Sequence, residues 1–147
     1  MVEACLALGV TSFAFISILG LLPMGLTVFH SAIDSSIGTQ ISQKVINDLQ
    51  ETDFSTLAAT STPLRYFDAQ GRELANATSA IYEVNVQVSP SMTLPGAQTP
   101  NSHLMNVKIQ IARNPGQLPM TMDASNSWQD RPGVAMTTFS TAIAGIN

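Results

Sequence analysis

Basic residues are missing from the first third of the chain, where no Lys or Arg precedes Lys44. A secretory signal opens with a short basic region, so Met1-Val2-Glu3 does not read as one. The expectation is either that a leader has been removed or that the sequence starts inside a longer precursor. The positive-inside signal is missing too, which fits loss of a leader that carried those charges. Charged residues make up 11% of the chain, well under the usual ~25%. With a net charge of −4 and no basic stripe, nucleic acid is not an expected partner. The single cysteine, Cys5, excludes an internal disulfide and reads as a small hydrophobe within an apolar run. The two histidines, His30 and His103, lie on different segments, and no Ser or Cys sits in a nucleophile motif. Phosphate-binding glycine loops and zinc spacings are also lacking. Catalysis and an organic cofactor are therefore not expected.

What the chain does have is a long uncharged run. After Glu3 the next formal charge is Asp34, and about 20 apolar helical residues suffice to cross a bilayer core. A carboxylate in lipid costs roughly 2.5–3.5 kcal/mol at a helix centre and less near an end. A plain anchor has no use for Glu3; a subunit that must find a partner inside the membrane does. The positive end of the helix dipole would favour an acid at any helix start by ~0.3–1 kcal/mol. That effect explains neither the apolar run nor the amphipathic stretch beyond it.

After Val28 the pattern becomes amphipathic. Ile33, Ile37, Ile41, Val45 and Leu49 recur every four residues, with Phe29, Ala32 and Ile46 widening the stripe. A helix from Met1 to about Asp53 would be ~80 Å long, too long for the remaining hundred or so residues to cover. Its first half must find apolar cover in lipid or in sister helices. Pro23 removes one backbone hydrogen bond at a cost of ~3 kcal/mol in an ordinary helix interior. Gly20 and Gly25 each lower helix propensity by ~1 kcal/mol. Gly20 to Gly25 reads either as a membrane-helix kink or as a segment that unwinds in an assembled state.

At 147 residues the chain is one domain plus an extension, divided into 1–28 (apolar helix) and 29–147 (amphipathic helix and outer domain). Ser55 to Pro63 reads as a polar loop. Leu64 to Leu74 reads as a hairpin around Asp68-Ala69-Gln70-Gly71. Ile81 to Val88 and Leu104 to Ala112 alternate apolar and polar residues as half-buried strands do, with a loop from Pro90 to Pro100 between them. Gln117 to Gly133 has no period, and Val134 to Ile143 is a final strand with Phe139 and Ile143 as core candidates. The predicted class is α+β: a long N-terminal helix with a protruding apolar half, its amphipathic half packed on a small antiparallel sheet.

Asp123, Asn126 and Asp130 share one loop and could supply oxygen ligands to calcium, although the spacing is not that of an EF-hand and a solvated loop is the simpler reading. Trp128 reads as an anchor of that loop on the sheet or as a contact to a neighbouring subunit. Asn76-Ala77-Thr78 fits the glycosylation sequon, a triplet common by chance.

Val2-Glu3-Ala4-Cys5-Leu6-Ala7-Leu8 resembles the start of a mature type IV pilin or type II pseudopilin. Gly20-Leu21-Leu22-Pro23-Met24-Gly25 is similar to the Gly/Pro region where such helices bend or melt in filaments. Arg65-Tyr66-Phe67-Asp68-Ala69-Gln70-Gly71-Arg72-Glu73-Leu74 resembles hairpins of pilin-like proteins from verrucomicrobial gene cassettes. Glu3 stands nearer the chain start than the family pattern places its glutamate. The resemblance implies a structural subunit that waits in the inner membrane and then joins a cell-surface or periplasmic filament. Its partners would be copies of itself, the inner-membrane assembly machinery and a prepilin peptidase. Glu3, Met1, Gly20, Pro23 and Gly25 would be the assembly residues, and some major pseudopilins hold calcium in a comparable late loop. The alternative is a single-span membrane protein whose outer domain binds a ligand or partner without polymerising.

Overall fold

The computed structural model describes residues 2–59, 63–93, 96 and 98–145. Its dominant element is one helix, α1 (Val2–Glu51), with Pro23 inside it. The run of Ala, Leu, Ile, Phe and Val suits a helix in which side-chain burial is left to an outside partner. After it come α2 (Phe54–Ala59), β1 (Arg65–Phe67), β2 (Glu73–Leu74), β3 (Tyr82–Met92), β4 (Asn101–Arg113) and β5 (Ala135–Ala144). The chain divides into two compact units, Met1–Ser36 and Ile37–Asn147. The class is α+β, as the sequence predicts.

Gly20 to Gly25 is helical in the isolated chain. Hydroxyls on either side of this stretch bond inward: Ser17 Oγ donates to the Phe13 carbonyl at 2.8 Å and Thr27 Oγ1 to the Pro23 carbonyl at 3.0 Å. Thr11 does the same to Ala7. Hydroxyls paired to their own helix present little polarity to an apolar surrounding.

In the second unit all five strands are antiparallel, in the order β2-β1-β3-β4-β5. Strand alternation sorts the two faces. Val84 lies opposite Ile111, Val86 opposite Ile109, Ile109 opposite Phe139 and Met105 opposite Ile143, so these side chains share one face. On that face Ile41, Val45 and Leu49 of α1 and Leu57 of α2 join them in a single apolar cluster with Phe67 and Tyr82. Ile41 and Val45 are essentially inaccessible, whereas Ile33 is exposed, so the burying stripe begins at Ile37 rather than at Phe29.

Two segments differ from the sequence-based expectation. The composition of Ser55 to Pro63 predicts a loop, yet its start forms α2. Asp53 nucleates it: its carbonyl accepts from the Thr56 and Leu57 N–H groups and its carboxylate from Ser55 Oγ. Burial of Leu57 gives so short a helix its tertiary support. Residues 60–62 of the expected loop lie outside the described residues. Likewise β3 runs through Pro90 to Met92, with a register irregularity between them. Proline is tolerated because Pro90 faces Met105 at a non-bonded pair, where its nitrogen points away from β4 and owes the ladder no N–H. The hairpin conforms to expectation: Asp68 Oδ1 accepts from the Gln70 and Arg72 N–H groups, and Gly71 supplies a φ of 74°.

The opposite face of the sheet carries the amides of Asn85, Gln87 and Gln110 beside Glu83 and Lys108, and the aperiodic 117–133 segment lies on it. Gln110 is 2% exposed and grips the Trp128 backbone at both groups. Its Oε1 accepts from Trp128 N at 2.7 Å and its Nε2 donates to Trp128 O at 3.1 Å. Asn85 Nδ2 donates to the Asn126 carbonyl, Lys108 Nζ to Ser127 Oγ, and Ser127 Oγ to Gln87 Oε1. Asn114, 1% exposed, turns the chain out of β4 by pairing with both the N–H and the carbonyl of Leu118. Trp128 is thus the anchor of this segment.

Val45→Asp places an unpaired charge in the core, at a cost of several kcal/mol. The unfolding midpoint of the second unit, followed by Trp128 fluorescence, is expected to fall by on the order of 15 °C or more. An unchanged midpoint would mean that the stripe does not pack on the sheet. Gln110→Leu strands the Trp128 N–H and carbonyl and is expected to cost about 1–3 kcal/mol. Because Trp128 is the sole tryptophan, the emission of this variant should shift to the red before global unfolding. Emission and stability matching the unaltered chain would rule out the clamp.

Candidate functional site

Among the described residues, most of the exposed large hydrophobic side chains lie on the first unit. From Val2 to Val28 every residue of α1 is exposed, and none of its most apolar window is buried within the chain. By length and composition this helix can cross a membrane. At 1.5 Å per residue the Val2–Val28 portion is ~40 Å long, more than a ~30 Å hydrocarbon core needs. A contiguous exposed array of Leu, Ile, Phe and Val of this extent is the mark of a protein–protein or membrane contact surface.

Glu3 is exposed in the first turn of α1. Around Gly9, the side chains of Val2, Cys5, Leu6, Val10 and Phe13 line a shallow apolar groove. A Cβ placed on Gly9, Gly20 or Gly25 would meet nothing within 4 Å, so these glycines are not required by the chain's own packing. Small residues of this kind let another helix approach closely. Pro23 lies between Gly20 and Gly25 within the unbroken helix. Met1 lies outside the described residues.

The expected calcium loop is held by its own bonds. Asp123 Oδ1 accepts from Ser125 N (2.8 Å), Ser125 Oγ (2.6 Å) and Ser127 N (2.9 Å). These bonds, the Ser125 hydroxyl foremost, hold its carboxyl below the usual carboxylate range. Asn126 adopts a φ of 65° in the same turn, and its carbonyl accepts from Asn85. Asp130 is exposed beyond Trp128. Among the described residues, no group of three or more His, Cys, Asp or Glu is placed to hold a metal ion. The loop's geometry is explained by a turn closed on itself.

A charged cluster that the sequence did not announce joins α1 to the hairpin. Glu73 on β2 accepts from Arg65 Nε at 2.6 Å and Nη2 at 2.7 Å, and from Lys44 Nζ at 3.0 Å. Arg65 also reaches Asp48 on α1. Both cations stand 5.6 Å from the Phe67 ring centroid, within cation–π range. The Arg65 fork, then Lys44, pulls the Glu73 carboxyl from 4.5 down to about 2, and the same acids raise the Arg65 guanidinium. Elsewhere, burial raises the Glu83 carboxyl, opposed by a bond from Asn114. The cluster is a clamp: each of its cations faces an acid, and it keeps no charge in reserve for a ligand.

Because the folded pKa of Glu73 lies below its unfolded value, its stabilising effect is complete above pH ~4.5 and fades as pH falls towards about 2. Glu73→Gln should therefore lower stability at neutral pH and flatten the pH dependence across that window, read as denaturation midpoints at a series of pH values. A variant whose acid limb parallels that of the unaltered chain would contradict this assignment.

The sequence matches no family model, and the comparisons found no similar curated protein and no similar solved structure.

Proposed function

We propose that the chain is a structural subunit of a type IV pilus-like or pseudopilus-like filament, assembled by packing of the apolar N-terminal helices. The observation that carries this reading is the exposed apolar half of α1, continuous in one helix with the amphipathic half that builds the core of the second unit. Such a helix can stand in the inner membrane before assembly and in a bundle of sister helices afterwards, leaving one apolar environment for another. The glycine-lined groove near the N-terminus supports helix–helix packing. Calcium at Asp123, Asn126 and Asp130 remains part of the proposal, to be tested by titrating the ion against Trp128 emission.

Glu3 is the selective element. In a dry bundle it pairs with an α-amino group of the neighbouring subunit, so that neither charge is buried alone. The direct test is negative-stain microscopy, with peptide identification, of material sheared from cells that carry the protein. Glu3→Gln and Glu3→Ala are expected to leave Trp128 emission and the melting of the second unit unchanged while sharply reducing filament yield. Normal filaments from either variant would remove Glu3 from assembly. Absence of filaments, with the chain held singly in the membrane, would favour the non-polymerising anchor.

A further inference from the structure

The two edges of the sheet are unequal. One is β2, only two residues long and carrying Glu73, a short charged edge of the kind that resists pairing. The other is β5, ten residues without a charge or a proline. The outward groups of β5 follow from its register. Gly145 N donates to the His103 carbonyl at 2.9 Å, one step beyond the pair Leu104–Ala144. Antiparallel pairs alternate between bonded and non-bonded, so odd-numbered residues of β5 bond β4 and even-numbered ones face away. The far side of β4 agrees: Asn114 N donates to the Ile81 carbonyl, giving even-numbered β4 residues to β3 and odd-numbered ones to β5. The N–H and carbonyl groups of Met136, Thr138, Ser140, Ala142 and Ala144 therefore point to the open edge.

The centre of this strand reads alike in both directions: about Phe139, Thr138 is matched by Ser140 and Thr137 by Thr141, with the apolar pairs Met136–Ala142 and Ala135–Ile143 outside them. We propose that β5 pairs antiparallel with β5 of a second copy about a two-fold axis at Phe139. In that register Thr138 and Ser140, and Met136 and Ala142, become the bonded pairs, as their outward groups require. Phe139 faces its own copy at a non-bonded pair, where side chains approach most closely. Hydroxyl–hydroxyl and aromatic–aromatic cross-strand pairs are favourable, no like charges meet, and the half-buried Phe139 ring gains cover. The interface is isologous. It joins second units and is independent of the helix-packing proposal.

The test uses the full chain in detergent with Cys5→Ser. Thr138→Cys and Ser140→Cys are made as separate proteins and oxidised alone or mixed. The expected result is a disulfide-linked dimer far more abundant in the mixture than in either protein alone. Thr138→Pro removes an outward N–H while leaving the β4 ladder intact, so the protein mass by light scattering should fall twofold with little change in melting. A mass unchanged by Thr138→Pro, or equal cross-linking with and without mixing, would overturn the pairing. Should Thr138→Pro fail to fold, the cross-linking result decides alone.

Discussion

Burial of the Ile41–Val45–Leu49 stripe against the sheet is the contact on which the second unit depends. Each of these residues enters one cluster with β1, β3, β4 and β5. A sheet this small has one apolar face to cover, and among the described residues no other element supplies a surface of the right length. The stripe fixes which face of α1 is inward. That in turn brings Asp48 and Lys44 to the hairpin, where Arg65 and Glu73 meet them. Salt bridges with this exposure contribute little individually. Their value lies in setting how the hairpin docks once the apolar contact has formed.

The second face of the sheet is held differently. Asn85, Gln110, Asn114 and Ser127 are buried and bonded, so a segment without periodic structure of its own is shaped by amide side chains from the strands. One amide nitrogen, Gln87 Nε2, has no hydrogen-bond partner among the described residues. A buried polar network of this kind specifies one arrangement and penalises the alternatives, because each displaced group would be left unsatisfied. Trp128 adds apolar contact to the same segment, and its backbone behaves as a short extra strand bonded by Gln110.

The helix, the hairpin and the three long strands were legible because each has a period or a turn that local chemistry enforces. The four-residue recurrence of Ile37, Ile41, Val45 and Leu49, the alternation in Val84 to Val88, and Asp68 with Gly71 are signals of that kind. The remaining features had no local signature. Helix α2 depends on Leu57 finding the core, and Ser-Thr-Leu by itself reads equally as loop. The Lys44–Asp48–Arg65–Glu73 clamp joins residues far apart in sequence. The covered second face did leave a trace: Asn85, Gln87 and Gln110 stand where an open face would usually carry Lys, Glu or Thr. In the apolar half, composition shows a helix apolar enough to cross a membrane, while Gly20-Leu21-Leu22-Pro23-Met24-Gly25 leaves its conformation open. In the isolated chain that segment is helical.

Under the proposed assembly, the energetic question for the apolar half of α1 is what would distinguish sister helices from lipid. Both are apolar, so the hydrophobic effect that drives folding in water contributes little to the exchange; close packing and polar pairing must supply the difference. Gly9, Gly20 and Gly25 offer places where another backbone can come near, and no contact of the chain's own competes for them. The hydroxyls of Thr11, Ser17 and Thr27 are already paired to their own helix, so they neither oppose lipid nor demand a partner. Glu3 differs from them, because a carboxylate cannot be satisfied by the carbonyls of its own helix. A lone acid in a run where Thr11, Ser17 and Thr27 bond their own helix leaves the helix tolerable in a membrane yet better accommodated beside a cation. That asymmetry, rather than hydrophobicity itself, is what would make assembly selective.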